Sequence, residues 1–136
     1  MSHDLIEPEG WAAPKGYANG VLAQPGRMLF VAGQIGWNAE QKLISQEFVP
    51  QFEQAMNNVV AVVCAAGGAP EDVCRLTIYV TDKQAYLQNI KAVGAAYRGA
   101  LGKHFPAMAL VEVKDLLEEG AMVEIEGTAV LAAKES

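Results

Sequence analysis

The chain has 136 residues, 51% of them hydrophobic and 19% charged, with 10 basic against 16 acidic side chains and a net charge of −6. That length suits one domain with a single adequate core, and the composition excludes intrinsic disorder. An acidic balance offers no general attraction to phosphate backbones or anionic membranes, which argues against nucleic-acid or membrane binding as the main role.

Residues 1–15 carry Pro8, Gly10 and Pro14 and no apolar h-region. They read as an irregular N-terminal arm and not as a secretory signal. No apolar run approaches the ~20 residues needed to cross a bilayer. Cys64 and Cys74 are too few for a disulfide scaffold and lie in apolar stretches. They are expected to be buried free thiols, and the chain to be cytoplasmic.

Residues 16–23 have weak strand character, and Gln24-Pro25-Gly26-Arg27 signals a turn. The run from Met28 to Ile35 is apolar without alternation, as in a strand covered on both faces. A polar loop follows. A helical stripe then runs through Phe48, Phe52, Ala55, Met56, Val59, Val62, Val63 and Ala66, with Pro50 in its first turn and Gly67-Gly68 at its end. Residues 75–81 alternate as a strand. Asp82 is the expected N-cap of a second helix with the stripe Tyr86, Ile90, Val93, Tyr97 and Leu101, ending near Gly102. Two last strands span about 107–113 and 121–131.

The order β-β-α-β-α-β-β predicts an α+β domain over residues 1–136. It has a five- to six-stranded mixed sheet with two helices on one face, since crossovers are right-handed. Two helices cannot cover both faces. The other face requires a partner, most economically further copies of the chain, though a different protein satisfies the same argument.

Few motifs carry chemistry. No histidine or cysteine spacing suits a metal, no glycine pattern suits a phosphate, and no serine sits in a nucleophile elbow, so neither metal nor cofactor is expected. Glu124 and Glu126 point to one face of the last strand. That face is either a solvated edge or a site where a carboxylate holds water. Trp37 is either a loop anchor or a pocket wall, and Tyr17 offers a lone phenol.

Several segments together resemble the RidA (YjgF-type) reactive enamine/imine deaminases. These are Tyr17 with its small and polar followers, the 30–35 stretch Phe-Val-Ala-Gly-Gln-Ile, and Pro106-Ala107 followed by Val111-Glu112-Val113. The 123–126 stretch Val-Glu-Ile-Glu, the helix positions Phe52, Asn58, Val62, Ala66 and Gly67, and the 79–82 stretch Tyr-Val-Thr-Asp also fit. The resemblance implies a chorismate-mutase-like fold, a homotrimer, and clefts between subunits that hydrolyse small enamines and imines to keto acids and ammonia. It implies Glu124 as the water-holding carboxylate and Tyr17 as its hydrogen-bonding partner, with Gly33, Ala32, Ala107, Met108 and Trp37 along the cleft.

The chain departs from that pattern in three places. Met108 stands where relatives place an arginine that grips the substrate carboxylate, Ala32 replaces a serine, and about four extra residues lie between Asp82 and Tyr97. Methionine cannot make a bidentate, charge-assisted contact. The expected function is a deaminase-like hydrolase acting on a substrate other than 2-aminoacrylate; the alternative is a non-catalytic trimeric binder or interaction protein.

Overall fold

A computed structural model of the protein describes residues 2–134. Six strands and three helices follow in the order β1 (Asp4–Ile6), β2 (Gly20–Leu22), β3 (Gly26–Gln34), α1 (Phe48–Ala65), β4 (Val73–Val80), α2 (Lys83–Leu87), α3 (Ile90–Leu101), β5 (Ala107–Glu112) and β6 (Val123–Ala132). The main sheet has four strands in the order β3-β6-β4-β5. All its neighbours are antiparallel except β4 and β5, whose parallel pairing needs the crossover that α2 and α3 supply. The class is α+β, as the sequence implies, but the strands divide four and two. β1 and β2 form their own antiparallel ribbon, with Leu5 opposite Val21.

The ribbon shows that the arm is not irregular throughout. Its anchor is His3, whose Nδ1 accepts the Gln24 backbone N–H at 3.0 Å, so the proton sits on Nε2, 2.9 Å from the Val130 carbonyl. No local pattern in residues 1–15 announces a strand, because the pairing is dictated by this distant contact.

Period decides the core. Leu76, Ile78 and Val80 of β4 and Val123, Ile125, Ala129 and Leu131 of β6 are buried on one face of the sheet. The stripe Phe52, Ala55, Met56, Val59 and Val63 of α1, with Val93, Tyr97 and Leu101 of α3, closes over them. Helix α1 ends in a full Schellman motif. Gly67, at φ 91°, donates to the Cys64 carbonyl and Gly68 to that of Val63. Cys64 in that last turn is exposed and Cys74 only half-buried, so the expectation of two buried thiols is overturned for the first and weakened for the second. The stripe that buries α1 leaves position 64 on its outer side.

The second helix starts where predicted, with Asp82 Oδ1 accepting the Gln84 N–H at 2.9 Å. It does not run through. The Asn89 side-chain amide donates to the Ala85 carbonyl at 2.7 Å, a local bond that competes with the helical ladder, and the chain restarts as α3 at Ile90. No described helix is long and apolar enough to cross a membrane.

The opposite face of the sheet stays open. It presents Met28, Phe30 and Ala32 of β3, Arg75, Thr77 and Tyr79 of β4, and Val111 of β5; Phe30 is 73% exposed. A face this apolar is unusual on a solitary domain.

Tyr97 carries a testable consequence of the core. It stacks on Phe105 with ring centroids 5.2 Å apart and donates to the His104 carbonyl at 2.9 Å, and burial pushes its phenol well above the ordinary tyrosine range. A phenol whose folded pKa is raised contributes stability that is present below its unfolded value of about 10 and lost as pH rises through the folded one. Tyr97→Phe is expected to cost about 1 kcal/mol at neutral pH. In urea melts from pH 8 to about 11, the gap between wild type and variant should then narrow. A gap constant across that range would show that the hydroxyl is not held protonated.

Candidate functional site

The predicted residues do not converge in one chain. Glu124 lies on the open face of β6, beside Tyr79 and next to β3. Between the pairs Val31↔Gly127 and Gln34↔Ile125, β3 advances three residues while β6 advances two. The bulge turns the strand over, so that Gly33 looks at Glu124. A Cβ placed on Gly33 would lie 2.7 Å from Glu124 Oε2, so the bare glycine leaves room for the carboxylate where it lies.

The carboxylate of Glu124 accepts no hydrogen bond within the described residues. Glu126, its neighbour on the same face, is engaged. Tyr79 donates to Glu126 Oε1 at 2.7 Å, and that bond, with desolvation and the charges of both glutamates, raises the phenol above its usual value. Of the two acids, Glu124 has both oxygens unengaged, while Glu126 has one oxygen held by Tyr79.

Tyr17, Ala107 and Met108 gather elsewhere. Residue 18 pairs alongside Ala107, and the Ala18 N–H donates to the Pro106 carbonyl at 3.0 Å, which sets Tyr17 at the outer edge of β5. From that edge Tyr17 serves two cavities. One, of about 350 Å³, includes Asn19, Arg75, Ala107 and Met108; the other, of about 280 Å³, includes Lys15, Ile78, Tyr86, Met108 and Leu110. Arg75 sits opposite Ala107 in the ladder with an exposed guanidinium. Met108 shares its row with Leu76 and packs toward the helices.

Glu124 and this corner are separated in two directions. Two strand spacings, about 10 Å, lie between β6 and β5, and four residue rises, about 13 Å, lie between Ala107 and the Val111 row of Glu124. Side chains cannot bridge that gap. Ala32 is exposed on the open face of β3. Trp37 follows in the loop, bridged to Leu43, with its carbonyl accepting from Asn58 Nδ2 at 2.9 Å, and it lines neither of the Tyr17 cavities.

The residue that sequence reasoning passes over is Gln51. It is fully buried in α1, where a glutamine on an apolar stripe gives no local sign of its partners. Its Nε2 donates to the carbonyls of Ser45 and Gly120 at 2.9 and 3.0 Å, and its Oε1 accepts the Met122 N–H at 2.8 Å. The bond to Met122 fixes the start of β6 two residues before Glu124. Gly36 lies against the same helix turn: a Cβ there would meet Gln51 Cα at 2.6 Å.

The sequence profile described as Endoribonuclease L-PSP matches residues 10–131. Protein DfrA of Myxococcus xanthus is 34% identical over 122 residues, covering 87% of this chain and 89% of DfrA. The 2-iminobutanoate/2-iminopropanoate deaminase of Escherichia coli is 32% identical over 133 residues, covering 96% and 98%. Among solved structures, a Rid-family protein of unknown function from Yersinia pestis, YyfB, superposes with a TM-score of 0.83 at 36% identity, covering 96% of this chain and all of that one.

Gln51→Leu removes one donor group and one acceptor while keeping the apolar volume, leaving the Ser45 and Gly120 carbonyls and the Met122 N–H, which are part-buried or exposed, to find water. The expected cost is roughly 1–3 kcal/mol, read as a lower urea midpoint. Gln51→Glu should be intermediate, because a carboxylate still accepts from Met122 but cannot donate to two carbonyls. A midpoint unchanged in Gln51→Leu would remove this residue from the account.

Proposed function

Since the chain belongs to the Endoribonuclease L-PSP (Rid/YjgF) family, we propose that it is a hydrolytic imine/enamine deaminase working in clefts between the subunits of a homotrimer. The observation that carries this reading is the Glu124 carboxylate, unengaged on an uncovered sheet face and seated over bare Gly33. Its separation from Tyr17 supports an intersubunit cleft, because a second copy can bring its own corner to the face of the first.

The chemistry asked of these groups is small. Glu124 holds a water and takes its proton as the oxygen attacks the imine carbon; the carbinolamine then collapses, the proton passes to nitrogen, and ammonia leaves behind a carbonyl. Tyr17 donates a hydrogen bond across the cleft. Ala32, Ala107, Met108 and Trp37 are proposed to shape it. A ribonuclease role has less support: the chain carries −6, and the open face adds two carboxylates where a phosphate backbone needs cations.

One observation favours a second reading. Met108 offers no charge to a substrate carboxylate, so the fold also suits a trimeric binder that performs no hydrolysis.

Ammonia release from 2-iminopropanoate, 2-iminobutanoate and bulkier imines made in situ separates the two. Glu124→Gln should lower turnover by about a hundred-fold or more, and Met108→Arg should raise the rate on the two small imino acids relative to the bulky ones. Equal rates for wild type and Glu124→Gln on every imine would end the catalytic reading.

A further inference from the structure

The departures at Met108 and in the helical crossover meet in one place. Beneath β5, between the sheet and α2–α3, lies a cavity of about 300 Å³, within the range that takes small ligands. Its walls are Phe52, Ile78, Tyr86, Val93, Tyr97 and Phe105, with Met108 as its boundary on the Tyr17 side. The break at Gln88–Asn89 is what brings Tyr86 and Ile90 to its rim on separate helices.

Its polar groups are not neutral. Lys15 and Arg98 both line it, and no carboxylate does. Arg98 lies back along α3 over Gly94: a Cβ on Gly94 would come within 3.2 Å of Arg98 Nη1, so the bare glycine leaves room for the guanidinium at the cavity wall. Neither cation makes an ion pair within the described residues. Two like charges facing one apolar cavity repel, and an anion between them relieves the repulsion and gains a bidentate partner.

We propose that this cavity binds a small monocarboxylate with an aromatic or branched apolar body, the body against Phe52, Tyr97 and Phe105 and the carboxylate at Arg98 and Lys15. The charge is supplied from α3 and the N-terminal arm. The cavity lies on the helix side of the sheet and Glu124 on the other face, so the assignment is a binding site in its own right, beyond the proposed reaction. It does not rest on that activity.

Binding to the full-length protein is measured by titration calorimetry and by methyl shifts of Ile78, Ile90 and Val93. The probes are 3-phenylpropanoate, its neutral amide, and propanoate. The acid should bind about ten-fold more tightly than either other probe, the worth of one charge-assisted contact. Arg98→Met should weaken the preference for acid over amide while the amide still binds, and the double variant Lys15→Met/Arg98→Met should abolish it. Equal affinity for acid and amide, an unchanged preference in Arg98→Met, or methyls that do not move would overturn the proposal. Tight acid binding without ammonia release from any imine would leave the pocket standing and remove the deaminase reading. Turnover of small imines alone, with no phenylpropanoate binding, would do the reverse.

Discussion

Three backbone groups from two loops meet on the side chain of Gln51, and the geometry of the open face depends on that meeting. A buried amide with all its bonds made is stabilising only while every partner is in place. Its bonds tie the segment before α1 and the loop between β5 and β6 to the same helix turn. β6 can then enter the sheet in only one register, because Met122 is already spoken for. Register decides which face each residue takes, and a slip of one would send Glu124 into the core and Ile125 out of it. The acid faces outward because of a glutamine on the helix behind it.

Periodicity explains which parts of this arrangement are legible in the sequence. The stripe of α1, the alternation of β4 and the Asp82 cap all carry local signals, and they fall within a residue or two of their predicted places. The four-and-two division of the strands carries none. β1 pairs because His3 reaches Val130, 127 residues away, and nothing near His3 foretells it. The interruption of the second helix at Asn89 lies between two stretches of one continuous stripe, so the apolar pattern passes over it.

The candidate site was legible as residue types and not as a place. The resemblance gives Glu124 and Gly33 to one cleft without their geometry, and the bulge in β3 that makes them neighbours depends on pairing with β6. Tyr17, Ala107 and Met108 share a corner because residue 18 extends the sheet beside Ala107, a contact between segments almost ninety positions apart. Met108 is defined in the sequence by the charge it lacks. In the structure its importance is the direction it takes, toward the helices, where an apolar side chain lengthens a cavity.

The distance between Glu124 and Tyr17 has a consequence of a different kind. On the intersubunit reading, a newly made chain possesses both halves of the chemistry and can use neither, since no movement of its own side chains closes the gap. Activity then arises only when chains meet, and it rises more steeply than in proportion to their number while assembly is incomplete. Synthesis and dilution become inputs to the reaction rate, and concentration does the work that a regulatory segment does in other enzymes.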